Sequence, residues 1–191
     1  MKQVIQIRCK NNKKSQKVEI GSTLFDIFSA FDLKMTHGPV SARVNNKVEG
    51  MHYRVYNSKD VEFLDMTSSS GSRAYTRTLF FVLCKAVQDI YPATDVVIDI
   101  PVSNGFYVDI RLGRPVVDED VNIIRRRMQE IIGARMPIRR FTVPTEEAVA
   151  LFQEKGDVEK VKLLKTSGSI YTTYYKIGDY VDYYYGTLLT N

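Results

Sequence analysis

Histidine and cysteine are scarce in this sequence, with two of each in 191 residues. Cys9 and Cys84 stand far apart and fit no C-x-x-C spacing, which argues against a disulfide framework and against a thiolate metal site. His37 and His52 read as turn or surface residues. No apolar run approaches the length needed to span a membrane, so no membrane partner is expected. Lys2 and Arg8 leave no apolar core between them for a signal peptide, and the chain reads as cytoplasmic. No G-x-x-x-x-G-K-[ST] segment occurs, so no nucleotide phosphate loop is expected and no cofactor is assigned to this chain.

What is present is ordinary for a folded protein: 44% hydrophobic and 26% charged residues, in a chain long enough for one domain or two small ones. The formal net charge of +5 is unevenly spread, because the first 66 residues hold 11 Lys and Arg against 7 acids. Lys2, Arg8, Lys10, Lys13, Lys14 and Lys17 all precede the first acid, Glu19. Such an edge attracts phosphates, which makes Lys10, Lys13 and Lys14 candidate contacts, although a solubilised strand edge is the plainer reading.

The stretch Asp95–Leu112 (DVVIDIPVSNGFYVDIRL) is expected to organise the second half of the chain. Val96, Val97, Ile98 and Ile100 form one β-branched run, and Phe106, Tyr107, Val108 and Ile110 form another. Between them, Asn104-Gly105 predicts a type I′ hairpin turn, which needs positive φ at both central residues. Upstream, residues 2–8 and 15–20 alternate like strands. Gly21-Ser22 then opens a helix with Leu24, Ile27, Phe28 and Phe31 on one face. Val40–Val44 and Val61–Leu64 supply short strands. The run Thr67–Ser72 (TSSSGS) reads as a linker.

Arg73–Ile90 is expected to be a helix capped by Ser72, with an apolar stripe of Leu79, Val82, Leu83, Ala86, Val87 and Ile90. Asp118 is expected to cap another, with Val121, Ile124, Met128 and Ile131 as its stripe. Arg125, Arg126 and Arg127 fall on its flanks and, with Arg139 and Arg140, form a candidate phosphate patch. Ile138–Val143 reads as a strand, and helical segments follow from Pro144-Thr145. The tail is crowded with tyrosines, from Tyr171 to Tyr185, which suit strands that are apolar on one side and wet on the other.

The pieces AVQDIYP, PVSNGFYVDI, DEDVNIIRRRMQEII and GDYVDYYYG resemble the editing domain of threonyl-tRNA synthetases. The hairpin–helix–strand order before them, with VSARVNNKVEG in its middle, resembles a TGS domain, a β-grasp module that precedes the editing domain in those enzymes. The resemblance implies an α+β chain: a β-grasp at 1–66, a linker at 67–72 and an editing-like domain at 73–191. It also implies a metal-binding constellation, H-x-x-x-H on the first helix and C-x-x-x-H near the last strand. The matching positions here hold Arg77, Phe81, Tyr184 and Leu188, none of them the family's residue. No metal and no editing catalysis are therefore expected.

A TGS domain followed by a degenerate editing domain also resembles the N-terminal half of bacterial uridine kinase-like nucleoside kinases. That likeness implies a regulatory, ligand-binding or RNA-binding role beside a downstream P-loop kinase domain that would bind ATP and Mg. The chain ends shortly after the tyrosine-rich strand, as expected at a boundary with such a domain. The alternative is a free-standing tRNA- or RNA-binding protein derived from the synthetase. An aminoacyl-tRNA deacylase with replacement residues is a third, weaker reading.

Overall fold

The computed structural model describes residues 3–103 and 105–190. Met1, Lys2, Asn104 and Asn191, on which parts of the first-strand, hairpin-turn and domain-boundary expectations fall, lie outside the described residues, as does the Ile100 side chain. The fold is α+β, with five helices and ten strands among the described residues. Contacts divide the chain into two units: residues up to Leu79 together with Gly186–Thr190, and Phe80–Tyr185. No helix among the described residues is long and apolar enough to cross a membrane.

The first unit is a five-stranded sheet with the order β2-β1-β5-β3-β4. It contains β1 (Val4–Cys9), β2 (Ser15–Glu19), β3 (Ser41–Val44), β4 (Lys47–Glu49) and β5 (Lys59–Leu64). Only the central β1–β5 pair is parallel. Parallel neighbours need a crossover, and helix α1 (Leu24–Ala30) lies in the chain between them, giving the strand order of a β-grasp. Thr23, rather than Gly21-Ser22, starts α1: its hydroxyl accepts the Asp26 N–H at 3.2 Å, and the Asp26 carboxylate accepts the Thr23 N–H at 2.8 Å. The expected helix face is buried at Leu24, Ile27 and Phe31; Phe28 is half-buried, edge-on to Phe63 at 5.1 Å. Asn45 and Asn46, at φ 44° and 73°, close β3 onto β4 in a two-residue turn.

The serine-rich run read as a linker is corrected, because helix α2 (Ser69–Ile90) begins inside it. Ser68, not Ser72, caps the helix, its hydroxyl accepting the Gly71 N–H at 3.1 Å. Small polar side chains satisfy the unpaired N–H groups of a first helical turn as readily as they populate a loop. Gly71 also lets that turn sit against the Asp65 carbonyl, since a Cβ there would lie 1.9 Å from the oxygen.

In the second unit, β8 (Ile138–Pro144), β9 (Tyr171–Ile177) and β10 (Tyr180–Tyr183) form an antiparallel sheet, order β10-β9-β8. Helices α4 (Thr145–Glu154) and α5 (Val158–Thr166) supply its core partners, with Ala148, Phe152, Leu164 and Val181 buried together. The hairpin of β6 (Val96–Val102) and β7 (Gly105–Ile110) exists, but as a separate two-stranded sheet. The expectation that it organises this half is therefore corrected. Val102, Phe106 and Tyr107 are exposed, and an isolated hairpin has too little face to build a core. It is anchored by Phe106, edge-on to Phe80 at 4.9 Å. Gly105 is paired with Val102 as a strand residue, and Ser103 before the turn's second position sits at φ 52°.

Helix α3 (Asp118–Gly133) is capped from within by Asp120 rather than by Asp118. The Asp120 carboxylate accepts the Val117 N–H at 3.0 Å, two Arg114 N–H groups at 2.7 Å and the Tyr91 hydroxyl at 2.6 Å. These bonds turn the Asp120 side inward with Ile124 and Ile131, leaving Val121 exposed and Met128 half-buried, against the expected stripe.

Two outcomes are expected. Gly71→Ala should destabilise the fold by about 1–3 kcal/mol through forced overpacking, read as a lower urea midpoint at unchanged slope. Arg114 first, then Tyr91 and the Val117 N–H, holds the Asp120 carboxyl well below the usual carboxylate range. A depressed folded pKa gives stability that is present above the unfolded pKa, near 4, and is lost as pH falls through the folded one. Asp120→Asn should therefore lower stability at neutral pH and flatten its decline on acidification. A mutant acid limb as steep as the wild type's would contradict this linkage.

Candidate functional site

The editing resemblance directs attention to α2 and the tyrosine-rich strands. Phe81 is fully buried, whereas Leu79, Leu83 and Ile90 of the expected core stripe are only half-buried. Val82, Ala86 and Val87 of that stripe are buried, and so are Ala74, Thr78, Phe81, Cys84 and Lys85, so burial on α2 is not confined to the expected stripe. The Phe81 ring meets Tyr180 at 5.2 Å, Tyr184 edge-on at 5.6 Å and Tyr175 at 6.4 Å. Each such pair is worth about 0.5–1.5 kcal/mol beyond burial.

Behind this aromatic cluster lies a buried polar group that inspection of the sequence had missed. Asp182, 7% exposed, accepts the Tyr180 hydroxyl at 2.7 Å, the Tyr183 N–H at 2.6 Å and the Lys160 ammonium at 2.8 Å. Lys160 also pairs with Asp157, the α5 N-cap, at 2.7 Å, and lies 5.8 Å from the Phe152 ring centre. The available signals were an acid embedded in a tyrosine run, and a Lys three residues after a helix-capping Asp.

The electrostatics leave little reactivity here. Burial, then the Asp182 charge, pushes the Cys84 thiol up to about 11, so it stays neutral at physiological pH. Burial raises both the Tyr180 and Tyr184 phenols far above their usual range. Burial works against the Lys160 charge, but Asp182 and Asp157 outweigh it and keep the ammonium protonated. Asp182 is occupied on both oxygens, so neither a nucleophile nor an unengaged base is presented. Among the described residues, no group of three or more His, Cys, Asp and Glu could hold a metal ion.

The other two degenerate positions belong to the first unit. Arg77 is half-buried, its guanidinium so close to Gly186 that a Cβ there would lie 2.7 Å from Nη1. Leu188 is 2% exposed. The candidate basic residues are also separated. Lys10, Lys13 and Lys14 are exposed around the β1–β2 turn of the first unit. Arg125, Arg126, Arg139 and Arg140 are exposed in the second. Arg127 is not a solvated flank residue: it is half-buried and donates to Asp89 and Glu130, each at 2.8 Å. Asp89 in turn pairs with the buried Lys85, which also reaches Asp179 at 2.6 Å. Arg127 is thereby withdrawn from the phosphate patch.

The chain is similar to tRNA ligases, a class of RNA-handling proteins. Its relatives are threonine–tRNA ligases. That of Clostridium kluyveri is 30% identical over 181 residues, 94% of this chain and 28% of the ligase. Those of Acetivibrio thermocellus and Clostridioides difficile are 29% and 28% identical, over 85% and 87% of this chain and 26% of each ligase. The chain thus spans about a quarter of the length of the curated relatives it matches. No protein-family model matches it. The homology supports a threonyl-tRNA-synthetase-derived origin for most of the chain.

Removing the central ring tests the energetics of the cluster. Phe81→Ala should cost about 3–5 kcal/mol by denaturant unfolding, and should expose Cys84 to alkylation under native conditions, where the wild-type thiol resists it. A loss well under 1 kcal/mol with Cys84 still protected would show that the ring is not the packing centre.

Proposed function

We propose that this chain is a tRNA-binding region derived from a threonyl-tRNA synthetase, with a TGS-like β-grasp ahead of an editing-like part that has no hydrolytic activity. The observation that carries the reading is similarity to threonine–tRNA ligases over up to 94% of the chain, combined with Arg77, Phe81, Tyr184 and Leu188 at the positions of the resembled constellation. Affinity for RNA can outlive loss of the chemistry, because phosphate contacts need only exposed cations, whereas ester hydrolysis needs a placed base or metal. Arg125, Arg126, Arg139 and Arg140, with Lys10, Lys13 and Lys14, are the contacts this reading uses. It places the chain in the cytoplasm with tRNA.

A location ahead of a P-loop nucleoside kinase domain, with ATP and Mg bound there, rests on the sequence resemblance alone. The ligase relatives support the RNA reading in preference to it.

Titration of labelled tRNA is expected to show binding that is mainly electrostatic. Four phosphate contacts would lose roughly a hundredfold in affinity between about 50 and about 200 mM salt. Aminoacyl-tRNA should survive incubation with the chain as long as it does in buffer. Tight binding with little salt dependence, or accelerated ester hydrolysis, would each overturn part of this reading.

A further inference from the structure

Arg139 on β8 and Lys176 on β9 are direct cross-strand partners. Both are exposed, and neither has an acidic partner among the described residues. Like charges directly opposite each other on a sheet are destabilising. The same-face strand neighbours that the register places beside the pair carry no charge. The β10 residue opposite Lys176 is Val181, and the next pair along β8–β9 is Phe141 and Tyr174, stacked at 5.3 Å. Asp179, in the turn after β9, is taken by Lys85, and Asp182 by Lys160, Tyr180 and the Tyr183 N–H.

We infer that Arg139 and Lys176 form a two-cation clamp for one backbone phosphate of an RNA. A phosphodiester between them would convert a repulsive pair into two charge-assisted contacts. The Arg fork supplies directed donors and the Lys a mobile point charge. Their position on adjacent strands sends the two side chains out from directly opposite backbone sites. This inference rests on the RNA-binding reading above and adds Lys176 to the contacts which that reading names.

The test uses the full chain and one unmodified tRNA. Arg139→Gln and Lys176→Gln are compared with Lys165→Gln, which removes an exposed charge from the last turn of α5. Each clamp variant should weaken tRNA binding by roughly threefold to tenfold and lower the salt slope by about one, the signature of one lost phosphate contact. Lys165→Gln should change both much less. Because repulsion is relieved, both clamp variants should melt at or above the wild-type temperature, so weaker binding cannot be put down to unfolding. Wild-type affinity in the clamp variants, or an equal loss in Lys165→Gln, would overturn the clamp while leaving RNA binding standing. A wild-type chain that fails to bind tRNA even at low salt would overturn both.

Discussion

The chemistry of the second unit depends on one buried ring. Phe81 takes the space between α2 and the β9–β10 strands, touching Tyr175, Tyr180 and Tyr184. Filling that space with carbon excludes the water that a charged thiolate or a working base would need. The consequences run outward from it. The Cys84 thiol is held neutral, the two phenols are held protonated, and Asp182 is stabilised only because Lys160, Tyr180 and a backbone N–H all turn towards it. An acid buried without those partners would cost several kcal/mol, so the aromatic packing and the polar cluster stand or fall together.

A second, independent network ties the same helix to its other neighbours. Lys85, buried on α2, is neutralised by Asp89 and by Asp179 in the β9–β10 turn, while Asp89 also accepts from Arg127 of α3. Charges placed in this way fix how the helix, the turn and α3 pack, and are unavailable for ligands. The cations left over are the solvent-facing ones, which is why the polyanion reading narrows to residues such as Arg139 and Lys176 and drops Arg127.

Similarity to threonine–tRNA ligases and departures from the resembled constellation at Arg77, Phe81, Tyr184 and Leu188 are compatible physically. A scaffold is specified by many weak contacts, which survive substitution at 70% of positions if apolar pattern and volume are kept. A hydrolytic site is specified by a few groups with the right proton affinity, and four substitutions suffice to remove it.

The sequence by itself determined the element order, the α+β class, the buried face of α1, the β8 and β9–β10 strands, and the absence of imidazole and thiolate from the resembled constellation. These are matters of local periodicity and residue type, which leave a direct trace in the order of residues. Only the tertiary structure decided which strands build a core. The 95–112 hairpin had the strongest local signal but little to pack against, whereas the less conspicuous β8–β10 sheet had α4 and α5. The structure also decided that Asp120 caps α3 from its third residue, that the serine run is helix rather than linker, and that burial on α2 extends beyond its expected stripe to Cys84 and Lys85. It brought Lys160 and Asp182 together from 22 residues apart. Each of these depends on what a distant segment offers, whether a ring, a carbonyl or a counter-charge, and no local pattern encodes that.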